Sequence, residues 1–64
     1  MDKTKLITPE ALSDELGVPV KTLAQWRYLG TGPAYLRVGR FVRYRRSDVD
    51  GWLGAQVQKP KGAA

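Results

Sequence analysis

Arg37, Arg40, Arg43, Arg45 and Arg46 fall within ten consecutive residues that contain no aspartate or glutamate. A guanidinium is permanently charged and offers planar donors that match the oxygens of a phosphate. So many like charges repel one another unless an anion neutralises them, so the segment points to a polyanionic partner, with a solvated basic strand as the plainer alternative. Other chemistry is scarce. The chain has no cysteine and no histidine, which excludes disulfides, the usual zinc ligand sets, imidazole acid–base catalysis and thiol nucleophiles. Asp48 and Asp50 resemble a carboxylate pair, but their place directly after Ser47 marks them as charges at a helix start. Neither an enzyme nor a cofactor or metal requirement is expected.

Sixty-four residues support one domain. A domain of this size buries only about 60% of the surface its unfolded chain exposes, which leaves little room for an internal cavity or a small-molecule ligand. Eleven lysines and arginines stand against six acids, a net charge of +5. The excess is confined to the second half, because Lys3, Lys5, Lys21 and Arg27 balance Asp2, Glu10, Asp14 and Glu15 before residue 31. Nucleic acid is the favoured partner. No apolar run is long enough to cross a bilayer, and Met1–Lys5 leads into a cappable helix rather than a signal segment, so a cytoplasmic protein is expected.

The elements that must carry these residues are read from local signals. Thr8-Pro9-Glu10 specifies a helix start, with Thr8 as cap, Pro9 in the first turn and Glu10 at the positive dipole end. Ile7 and Leu12 have the spacing of a hydrophobic staple. This first helix is expected over Pro9–Leu16, ended by Gly17 and by Val18-Pro19. A second helix follows from Val20 to near Leu29, with Leu23 and Trp26 on one face and Lys21, Thr22, Gln25 and Tyr28 toward the other. Two short helices joined by a glycine turn frame a helix-turn-helix.

After Thr31-Gly32-Pro33 breaks the chain, apolar and basic residues alternate on both sides of Gly39-Arg40, the pattern of a β-hairpin. Two registers compete. A two-residue Gly39-Arg40 loop suits a turn with glycine first, yet it sets Leu36 opposite Arg43 and Arg37 opposite Val42. A three-residue loop, Gly39 to Phe41, sets Leu36 and Val38 beside Tyr44 and Val42, and gathers Arg37, Arg43 and Arg45 on the outer face. The second is favoured because it keeps the faces pure. Ser47 then reads as the cap of a third helix over about Asp48–Val57, packed through Val49, Trp52 and Leu53. The expected architecture is α+β: a small winged helix-turn-helix with a two-stranded hairpin wing and a C-terminal helix. Residues 1–57 form the binding domain, and 58–64 form a disordered basic tail.

In this order the chain resembles the phage excisionase family and its MerR-like winged-helix relatives over about residues 6 to 53. The residues that carry the likeness include Leu6-Ile7-Thr8-Pro9-Glu10-Ala11-Leu12, Gln25-Trp26-Arg27, Gly32-Pro33-Ala34-Tyr35, Val38-Gly39-Arg40 and Arg43-Tyr44-Arg45-Arg46-Ser47-Asp48-Val49. Pro19 departs from the pattern, since relatives usually carry a side-chain cap there. The resemblance implies a recombination directionality factor that binds and bends attachment-site DNA so that a phage integrase excises a prophage. The alternative is a small transcriptional regulator of the MerR-like type. It further implies a bacterial host, action on double-stranded DNA, and cooperative self-association there by a chain that is monomeric in solution.

In such a protein the second helix enters the major groove, where Lys21, Thr22, Gln25 and Tyr28 reach base edges or phosphates. Arg40 sits at the minor groove, and Arg37, Arg43, Arg45 and Arg27 meet the backbone. Arg45 and Arg46 have a second option in pairing with Asp48 or Asp50, and Arg27 in covering Trp26. Two rival classes remain. An RNA-binding module needs exposed aromatics on a sheet, for which Tyr35 and Phe41 are the candidates, and a protein adaptor needs no base contact at all. Trp26 and Trp52 sit at helical spacing with apolar neighbours and are read as core rather than as a stacking platform.

Overall fold

A computed structural model describes residues 6–58. The chain runs β1 (Leu6–Ile7), α1 (Pro9–Leu16), α2 (Val20–Leu29), β2 (Leu36–Val38), β3 (Phe41–Arg45) and α3 (Arg46–Ala55). Apart from Gln58, the expected basic tail lies outside the described residues.

α1 begins as its residues dictate, with the Thr8 hydroxyl oxygen accepting from the Ala11 amide at 3.0 Å. Gly17 and Gly30 end α1 and α2 in the left-handed conformation. The turn between them is tied twice. The Gly17 amide donates to the Ser13 carbonyl at 2.8 Å, and the Ser13 hydroxyl donates to the Val18 carbonyl. At the start of α2 no side chain caps the helix, so Pro19 supplies only its carbonyl, which accepts from Thr22 at 2.9 Å and Leu23 at 3.2 Å.

Each helix and the central strand gives one side chain to the core: Leu12 from α1, Leu23 from α2, Tyr44 from β3 and Val49 from α3 are almost fully buried. Ile7, Leu16, Val18, Trp26, Val42 and Leu53 close around them. A winged helix-turn-helix is thus assembled on a very small nucleus. Trp26 and Trp52 are half-buried against each other, with ring centroids 5.3 Å apart and planes tilted by 46°, so their indoles serve packing as the spacing requires.

Three expectations are corrected. The sheet has three antiparallel strands in the order β1-β3-β2, rather than two, because Leu6 and Ile7 pair with Arg45 and Tyr44. A two-residue strand has no periodicity to read; its partner almost forty residues further along the chain makes it a strand.

The hairpin uses the two-residue register: Leu36 faces Arg43, Arg37 faces Val42, and Val38 faces Phe41. Gly39 has φ +63° and no non-glycine residue among those described has positive φ. That excludes a type I′ turn, which needs positive φ at both central residues, and fits type II′, with glycine first. Turn geometry therefore prevails over purity of faces. The mixing is tolerated because β2 is a short edge strand at which the core ends, so Val38 and Arg37 are both exposed.

The third helix starts at Arg46, not after Ser47, and ends at Ala55 rather than Val57. β3 passes into α3 without a loop, so Arg45, in extended conformation with φ −96° and ψ 142°, takes the cap position and Ser47 falls inside the first turn. Gly51 and Gly54 weaken the far end.

Candidate nucleic-acid interface

Lys21, Gln25 and Tyr28 recur at intervals of four and three along α2, which puts them on one face, and all three are exposed. Tyr28 is 88% exposed, and Leu29, which follows Gln25 by four residues, is 59% exposed. Thr22 is half-buried at the border of this face. The opposite face holds Leu23 in the core and Trp26 against Trp52. The expected major-groove set is therefore brought together on a solvent face, and Leu29 joins it. An isolated exposed leucine is an ordinary surface feature, so the sequence carried no signal for it.

Arg27 belongs to neither face. Its Nη1 donates to the hydroxyl of buried Tyr44 at 2.7 Å, and its guanidinium carbon lies 5.7 Å from the centre of the Tyr35 ring. This arginine ties the end of α2 to β3 and borders a notch of about 340 Å³ that is also lined by Gly30–Tyr35. The pairing crosses seventeen residues, and nothing in either local sequence announces it.

On the wing, the register divides the arginines that had been expected together on the outer face. Directly opposed residues in an antiparallel pair project to the same side, so Arg37 accompanies Val42 and lies on the side of the sheet occupied by Tyr44 and its helix partner Arg27. Arg43 and Arg45 project to the other side with Phe41, by alternation along β3. Arg40 occupies the turn itself and is exposed. The correction follows from the type II′ turn: shifting the loop by one residue reverses which side every β2 residue faces.

Two arginines hold acids. Arg45 Nε donates to Asp48 Oδ2 at 2.7 Å across the strand-to-helix junction. Arg46 grips both oxygens of Glu15 at 2.7 and 2.8 Å and also reaches Asp50 at 3.1 Å, which links α1 to α3. Arg46 thus serves the fold: the contact with Asp50 is the expected pairing, while the closer grip on Glu15 is a partner the sequence did not indicate. The Arg46 guanidinium, hydrogen-bonded and adjacent, holds the Glu15 carboxyl below its ordinary range, and Glu15 with Asp50 raises Arg46 in turn.

A carboxyl whose pKa is lower when folded than when unfolded stabilises the fold above its unfolded value, and loses that contribution as pH falls through its folded value. Thermal melts are therefore expected to show wild type exceeding Glu15→Gln at neutral pH, with the gap closing below about pH 4. Because the pair is exposed, the gap is expected to be small. Equal melting temperatures for the two proteins at neutral pH contradict the assignment.

Among the described residues no helix is long and apolar enough to cross a membrane, and no cluster of acidic side chains suits a metal ion. Neither a curated protein nor a solved structure matches the chain. The family model described as a helix-turn-helix domain matches residues 6–57, which spans every element described above. With an exposed polar face on its second helix and an arginine-rich hairpin later in the chain, the chain belongs to this family of DNA-binding helix-turn-helix domains, which includes excisionase-like proteins.

Proposed function

We propose that this chain is an excisionase, a recombination directionality factor that binds and bends attachment-site DNA for a phage integrase. The observation that carries the reading is the combination, in one small domain, of the exposed Lys21, Gln25 and Tyr28 face with a hairpin whose arginines lie in an acid-free segment. α2 docks in the major groove, where the Gln25 amide pairs with an adenine, Tyr28 meets base edges, and Lys21 and Thr22 take phosphates. Arg40 enters the adjacent minor groove, and Arg37 and Arg43 hold the flanking backbone.

Arg27 reaches a phosphate from its tether on Tyr44. Arg45, itself exposed, exchanges the half-buried Asp48 carboxylate for a phosphate. Residues 1–57 act as one binding domain that works by contact and not by catalysis. Copies are monomeric in solution and assemble side by side on the duplex in the cytoplasm of a bacterial host.

Selection from a random duplex pool, followed by gel shift, tests the reading at its most specific contact. Gln25→Ala is expected to lose about 1–3 kcal/mol of affinity and to accept any base at one position that wild type restricts to A·T. Footprinting on attachment-site DNA with and without integrase tests the role. A footprint that integrase neither extends nor strengthens, coupled to altered transcription, makes the chain a regulator instead.

A further inference from the structure

The tip of the hairpin carries a side chain that none of these contacts uses. Phe41 directly follows the turn and is 54% exposed, and Val38, its partner across the strands, is 47% exposed. Both lie on the side of the sheet away from Tyr44, so the core makes no use of them. The turn does not need them either, because Gly39 already meets its backbone requirement.

Around the ring the chemistry is one-sided. The guanidinium carbon of Arg40 lies 5.8 Å from the centre of the Phe41 ring and that of Arg43 lies 5.4 Å from it, and no acid occurs between Tyr35 and Arg46. An exposed aromatic bracketed by two cations suits an anionic partner that also presents flat apolar faces. Stacked base pairs between two phosphate backbones are such a partner, and apolar side chains on minor-groove proteins act there as wedges.

We propose that Phe41, backed by Val38, inserts between two base pairs from the minor groove while Arg40 lies beside it in that groove and Arg43 holds the adjacent phosphate, so that one copy kinks the duplex at its own wing. The proposal rests on the reading of the hairpin as a minor-groove contact. It adds a preference for a pyrimidine–purine step beneath the wing, because such steps unstack most readily. It also removes the need for neighbouring copies as the only source of curvature.

The test uses the full chain and the duplex recovered by the selection above, made with 2-aminopurine at adenines under the wing and with dyes at its ends. Wild type is expected to raise 2-aminopurine fluorescence and to shorten the end-to-end distance. Phe41→Ala is expected to lose both signals while still shifting the duplex in a gel, and Phe41→Leu to retain part of each. Far-ultraviolet circular dichroism checks that both variants keep their helices, which the exposure of the ring leads one to expect.

A Phe41→Ala protein that unstacks and bends like wild type overturns the wedge. The same outcome with loss of integrase recruitment assigns the ring to a protein partner, which overturns it equally. If wild type forms no complex with any duplex, the DNA reading itself falls and the wedge with it, a result distinct from binding without a kink.

Discussion

Replacing Arg37, Arg40 and Arg43 together by alanine is expected to lower affinity for duplex DNA by at least about a hundredfold and to reduce the slope of log affinity against log salt by about 3. Each cation that neutralises phosphate charge releases roughly 0.9 of a condensed counterion on binding to duplex DNA, and losing Arg37 and Arg43 from the backbone together with Arg40 from the groove between the two backbones removes nearly three such releases.

The fold is expected to survive, because Arg37 and Arg40 are exposed, and Arg43 hydrogen-bonds the carbonyl of its neighbour Val42 at 2.7 Å and lies over the exposed Phe41 ring without reaching the core. Gel shifts over a salt series, with thermal melts of the free proteins alongside, give the answer. An unchanged salt slope in a folded triple variant refutes the phosphate assignment on the wing. It leaves the α2 face to be tested by Gln25→Ala.

Leu12→Ala is expected to leave the free protein largely unfolded. Leu12 is fully buried, and among the described residues the hydrophobic core contains three others at that depth. Truncation of a buried leucine costs about 2–5 kcal/mol, whereas a core in a domain this small rarely supplies more than about 3–5 kcal/mol of net stability. The cost is thus comparable with the whole stability of the domain.

Leu12 packs inward with Leu23 of α2 and Tyr44 of β3 and is not part of the exposed face proposed to meet DNA, so duplex DNA is expected to refold the variant by mass action. At a hundred times the dissociation constant, a ligand that binds only the native state adds about 2.7 kcal/mol. Circular dichroism at 222 nm with and without the duplex measures both halves of the statement. A native-like melting temperature in Leu12→Ala alone shows that the core is not as tightly shared as its burial implies.

The two predictions separate surface from interior, and the sequence was unequally informative about them. The α2 face was legible because helical periodicity is a local property: Leu23 and Trp26 inward, with Lys21, Gln25 and Tyr28 outward, follow from spacing alone. The wing arginines were legible as a group by charge and density. Their division between two sides of the sheet was not, because that depends on one residue of register, and the alternation favoured one loop while the turn glycine favoured the other. Purity of faces was the wrong criterion for an edge strand beyond the core, and the glycine at the first turn position was the better guide.

The same division runs through the whole chain. Residue order alone settled the starts and stops of α1 and α2, the presence of a hairpin around Gly39, the confinement of the positive charge to the second half, and the exclusion of thiol, imidazole and zinc chemistry. These rest on caps, prolines, glycines and periodicity, which act within a turn or two. Tertiary structure decided that Leu6-Ile7 is a strand, that Arg46 ties α1 to α3 through Glu15, and that Tyr44 holds Arg27. Each of these joins residues between seventeen and about forty positions apart. Such contacts form only where independent elements meet around a common core, and no stretch of sequence short enough to read locally contains both partners.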